Sequence, residues 1–152
     1  MNWEIAIPAL VGAGAALLTR AGERLLAKFF DRSVKRDAQQ DADLAAIERV
    51  VFEVRDLATS YWSKDPDPSR DKVTEGAIVG RLTFLTELSD ELFRARQKSQ
   101  RAMQVAVNRY DVSCTFGDFG SHSRRADSGK CRDIEIAAYR LVHLAKAERR
   151  RL

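Results

Sequence analysis

Cysteine is nearly missing from this chain: Cys114 and Cys131 are the only two in 152 residues. Two cysteines make no disulfide framework, and two reduced thiols are the expectation. Three prolines and eight glycines argue against a disordered chain and against a β protein dense in turns. No segment sustains the two-residue alternation of a half-buried strand. Histidine occurs twice, at His122 and His143. With the cysteines these are the candidate zinc donors, but they lack the close pairs that mark a zinc site. Gly76 and Gly80 are spaced like part of a phosphate loop, yet no Lys-Ser or Lys-Thr comes after them, and helix packing is the simpler role. Asp133 and Glu135, two apart on a helix, point to different faces. Neither cysteine is marked as an activated nucleophile. The expectation is a protein without catalytic residues, metal or cofactor, and so not an enzyme.

Charge is absent from Ile5 to Leu18, and the next stretch is the reverse. Arg20, Arg24, Lys28, Arg32 and Lys35 recur at helical spacing, interleaved with Ala21, Leu25, Phe29 and Phe30. A greasy segment continued by a basic helix reads as a membrane anchor. The run alone is short, about 21 Å as helix against a bilayer core of about 30 Å. Trp3 at one end and snorkelling Arg20 and Arg24 at the other lengthen the usable span. The lipid-facing residues are then Trp3, Ile5, Ile7, Leu10, Val11, Leu17 and Leu18. A cleaved signal peptide fits less well, because Met1–Glu4 holds an acid and no base. A buried core helix and an interfacial helix stay open as alternatives. Basic residues only after the run put the C-terminal body in the cytoplasm, on a single-pass inner-membrane protein. Ala9, Gly12, Ala13 and Ala16 place small residues at spacings that let helices approach closely, a contact face for a homo-oligomer.

The remainder reads as helices. Leu44, Ile47, Val50, Val51, Val54, Leu57, Ala58 and Tyr61 form a three-four repeat between Asp41 and Trp62. Ser63 to Asp71, with Pro66 and Pro68, is a loop, and Ser69 or Asp71 is placed to cap the next helix. That helix is expected from about Arg70 to Lys98, with a polar break at Gln97–Gln100 and a shorter apolar pattern from Met103 to Tyr110. From Asp111 to Gly129 the periodicity stops and glycines mark a loop, with Cys114–Phe119 as a candidate extended piece. A final helix is expected from about Lys130 to Arg150. The fold class is therefore all-α. An anchor with its basic helix occupies residues 1–36, and a cytosolic bundle of three to four helices occupies 37–152.

Positive charge gathers in two places. Arg94, Arg96, Lys98, Arg101 and Arg109 lie in a stretch without acids, and Arg124, Arg125, Lys130 and Arg132 lie in and beside the glycine loop. Phe116 and Phe119 are interleaved with them. Arginine and lysine bind phosphates and aromatic rings stack on bases, so the set suits a single-stranded nucleic acid or a nucleotide. The competing reading is a solvated basic face, with the two rings tucking the loop onto the core. A third is charge facing anionic lipid.

A short membrane helix, a small helical body and no catalytic motif resemble, in organisation, the small membrane effectors of bacterial phage-defence systems. The resemblance implies antiviral defence by a homo-oligomer whose body senses a nucleotide or oligonucleotide and gates or disrupts the membrane, as an ion channel or otherwise. Its partners would be membrane lipid, further copies of itself and the anionic signal. The alternative is a helical interaction module or adaptor with neither ligand nor pore.

Overall fold

The computed structural model describes residues 6–151, with side chains from residue 34 onward. The side chains expected in the membrane (Trp3, Ile5, Ile7, Leu10, Val11, Leu17, Leu18) and at the oligomer contact (Ala9, Gly12, Ala13, Ala16) lie outside the described ones. Among the described residues no helix is long and apolar enough to cross a membrane. The chain divides into two units, residues 1–39 and 40–152, and the second holds the hydrophobic core.

The described residues are all helix and loop. Four helices run in order: α1 (Ala6–Trp62), α2 (Pro68–Phe93), α3 (Gln97–Thr115) and α4 (Ser128–Arg149). The three-four repeat ending α1 is buried as its spacing requires, through Ile47, Val50, Val51, Val54, Ala58 and Tyr61. Ile78, Leu82 and Leu85 of α2, Met103, Val107 and Tyr110 of α3, and Ile134, Ala138 and Leu141 of α4 meet it in one core. Contacts across the helices give an up-down-up-down bundle. Tyr61 and Glu53 of α1 bond Glu75 and Arg81 of α2. Asp41, Glu48 and Arg55 pair with Arg149, Lys146 and Glu135 of α4. Ser99 of α3 bonds Glu148 of α4. Through the centre, the Tyr110 hydroxyl donates to the Val51 carbonyl at 2.8 Å.

Local chemistry sets the helix ends, and not always where periodicity puts them. α2 starts at Pro68, capped by Asp67, whose carboxylate accepts from the Ser69 amide. The N-cap residue is neither Ser69 nor Asp71; the Asp71 carboxylate accepts from the Asp67 amide at 3.1 Å and pairs with the buried Arg124. α2 ends at Phe93 and α3 begins at Gln97, so the break comes earlier than the polar Gln97–Gln100 stretch suggests. α3 also runs on to Thr115, past Asp111 and into the expected extended piece. Val107, Tyr110 and Cys114 continue one buried stripe. Polar neighbours hide that stripe in the sequence, and the Ser113 and Thr115 hydroxyls bond back to helix carbonyls.

Candidate functional site

The loop 116–127 joins α3 to α4 at one end of the bundle. Gly117 and Gly120 hold φ of 90° and 79°, a region other residues enter only with strain. Between these turns the loop folds back over the end of α1. The amide of Gly120 donates to the Tyr61 hydroxyl at 3.0 Å, and that hydroxyl donates to Glu75 at 2.8 Å. Phe119 packs on Tyr61, ring centres 5.2 Å apart.

The loop is pinned by Arg124, which is 2% exposed. One Nη donates to the carbonyls of Tyr61 and Lys64 at 2.6 Å each. The other donates to Asp71 at 2.7 Å. The guanidinium lies 4.0 Å over the Tyr61 ring. The physical cause is at the end of α1, whose last turn contains no basic residue. Its terminal carbonyls carry the negative end of the helix dipole and need donors. Lys130 does the same for α3, which also ends without a basic residue: its ammonium donates to the carbonyl of the C-cap Phe116 and lies 4.5 Å over the Trp62 ring. Trp62 completes the seam, its Nε1 donating to the Cys114 carbonyl at 2.8 Å.

The nine cations and two rings expected to form one binding surface are thus divided. Phe116, Phe119, Arg124, Arg125 and Lys130 belong to the loop end. Arg94, Arg96, Lys98 and Arg101 are exposed around the α2–α3 link at the opposite end, separated from the loop by the length of α3, 19 residues and about 28 Å. Arg109 lies between, in a groove of α3 and α4 with Arg140. Arg132 opens toward α1 beside Asp56 and Glu135. Arg124 is turned inward, contrary to its expected place among ligand contacts, because a buried carboxylate and the end of α1 both demand it. Phe119 serves the core. Phe116 stays 72% exposed. It borders an open cleft of about 350 Å³, lined also by Trp62, Gly117, Asp118, Ser123, Arg125, Ala126, Asp127 and Lys130. Asp127 is occupied as the N-cap of α4, accepting from the Lys130 amide at 2.9 Å.

The four zinc candidates do not converge. Cys114 is buried, Cys131 half-buried, and His122 and His143 exposed. Among the described residues no group of three or more histidines, cysteines and carboxylates could hold a metal. Burial pushes the Cys114 thiol up to about 12 and raises that of Cys131 as well, the opposite of what a nucleophile needs.

Sequence reasoning overlooked Asp71 and Glu148 as buried charges. Glu148, 4% exposed, accepts from Ser99 at 2.7 Å beside the start of α3. The signal that could have found it is negative: α3 has no acid in its first turn and no side-chain cap on Arg96. The chain matches no protein-family model, no curated protein and no solved structure.

Proposed function

We propose that the helical body is a sensor for a small anionic ligand with a flat ring, of nucleotide size, taken at the loop end. Residues 1–36 would hold the body at the membrane, as the apolar run and basic helix suggest, and ligand capture would act on that segment in an oligomer. The observation that carries the reading is Phe116: a large ring 72% exposed on a loop that the buried Arg124 tethers to the end of α1. An exposed ring on a preorganised loop is a stacking platform for a base. Arg125 and Lys130 beside it suit phosphate oxygens, and Asp118 can accept from an exocyclic amino group. The separation of the two basic clusters favours a short ligand over a long strand lying across both.

Trp62 lines the cleft, so its fluorescence is the direct test, with Trp3→Phe removing the other tryptophan. Nucleotides and short oligonucleotides titrated at low salt should quench it. Phe116→Ala should weaken binding by about 1–3 kcal/mol, and Arg125→Glu should weaken it further and flatten its salt dependence. Quenching by none of these compounds, or binding indifferent to both substitutions, would leave a ligand-free interaction module as the better reading. That second reading has its own support in the apolar residues exposed along α2, α3 and α4.

A further inference from the structure

Among the described residues, two apolar surfaces of the bundle are left uncovered. One is a groove of about 510 Å³ between α3 and α4. Its floor is Ala102, Val105, Ala106, Ile136, Ala137 and Leu144, with Val105 half exposed and Ile136 41% exposed. Alanines on both walls leave it wide enough to receive a ridge. Arg109 and Arg140 stand on its rim against a single acid, Asp133. One helical turn before Ala102, Lys98 extends the basic edge, with Arg101 beside it, both exposed.

The other surface is the outer face of α2. Its inner face is already satisfied by Ile78, Leu82, Leu85 and Leu92. Yet Val73 and Phe84 are 75% and 47% exposed on the far side, and Val79, 49% exposed, lies on the flank toward Asp111 of α3. Gly76 and Gly80 lie between them, and a Cβ built on either meets nothing within 4 Å. Each weakens the helix relative to alanine, and no described neighbour requires the missing methyl group. Close approach by something outside the chain would use the space. The charge on this face is Lys72 at the N-terminal end and Glu87 and Glu91 at the C-terminal end, with Arg94 just past it, all exposed.

The geometry points to a head-to-tail contact in which the outer face of α2 of one copy seats in the α3–α4 groove of the next. Charge complementarity identifies the occupant and its direction. With α2 parallel to the receiving α4, Lys72 approaches Asp133 while Glu87 and Glu91 approach Lys98 and Arg101. The reverse direction sets Lys72 against Lys98 and Arg101. Lengths agree, since Val73–Phe84 and Asp133–Leu144 each cover about 16 Å of helix. Gly76 and Gly80 then let the two backbones close over Ala106 and Ala137. Because the surfaces differ, the contact is heterologous, and repeated use closes a ring or extends a filament. It needs no ligand and no residue of the loop cleft, so it stands or falls apart from the sensor reading.

Cross-linking of the full chain in detergent tests it, in a Cys131→Ser background with a short bis-maleimide. Mixing a Phe84→Cys protein with an Ala102→Cys protein should give a covalent dimer that neither gives alone. A chain carrying both cysteines should give a ladder. Glu87→Arg with Glu91→Arg should cut the yield at least tenfold, as should Lys98→Glu with Arg101→Glu. Pairing the two charge-reversed proteins should restore it, while circular dichroism reports each as folded. A dimer from Phe84→Cys alone would mean a symmetric α2–α2 contact and would overturn the proposal. No cross-link in the mixture, or yields indifferent to both reversals, would overturn it too.

Discussion

The two ends of the bundle meet the same physical demand with opposite charges. At the loop end α1 and α3 finish without a basic residue in the last turn, and Arg124 and Lys130 arrive from elsewhere to hold their carbonyls. At the other end α3 starts without an acid in its first turn, and Glu148 arrives from the last turns of α4. In both cases the helix dipole is complemented by a side chain distant in sequence. The difference is in what else the charge does. Arg124 also neutralises the buried Asp71 and fastens a twelve-residue connection, 116–127, whereas Glu148 bonds Ser99 and pairs with Arg151 beside a link only three residues long, 94–96. A long loop needs a tether and a short one does not, so the loop end depends more heavily on its buried charge.

The largest effect should come from removing that tether. Arg124→Met leaves Asp71 buried without its cation, and stability should fall by about 3–5 kcal/mol in urea titration. A loss below about 1 kcal/mol, the scale of an exposed ion pair, would erase the distinction between the ends. Glu148→Gln keeps shape but removes the charge at the start of α3, with an expected loss of about 1.5–3 kcal/mol. Should Glu148→Gln cost more than Arg124→Met, the dependence would run the other way.

Alkaline pH sharpens the comparison without mutation. Burial raises Tyr61, Cys114 and Cys131 at the loop end, and Tyr110 in the centre of the bundle. Cys114 titrates at about 12 in the fold against 9.0 when free. The folded state therefore holds this proton more tightly. Its contribution is complete below pH 9 and declines as pH rises toward 12. Trp62, bonded to the Cys114 carbonyl, should change fluorescence before helical ellipticity falls, again in Trp3→Phe protein. Simultaneous loss of both signals would place the first loosening elsewhere. The smallest effect, and the only gain, is expected away from both ends. Gly76→Ala meets open space and should stabilise the single chain by about 0.5–1 kcal/mol in thermal melts, while lowering the α2–groove cross-link.

Much of the fold is legible in the sequence, because helical periodicity is local. The buried stripes of α1, α2 and α4 come from residues three and four apart, and prolines and glycines mark the loops at 63–67 and 116–127. Boundaries shifted where a side chain serves something remote: Asp71 sits one turn inside α2 and pairs with Arg124 while Asp67 is the N-cap, and Cys114 carries α3 beyond its polar cover. The site was legible in composition but not in arrangement. Arg124 and Arg125 are neighbours of the same type, and nothing within a few residues distinguishes them.

The amino-acid sequence by itself determined that this body is helical, which faces are apolar, and that cations and rings collect around a glycine loop. Only the tertiary structure decided that Arg124 turns inward and Phe116 outward, that the two basic clusters part to opposite ends, and that α2 keeps an apolar face uncovered. The reason is range. A helix and its stripe are set by neighbours within a turn, whereas burial of a charge depends on what the fold brings over it, and the partners of Arg124 lie 53 to 63 residues away.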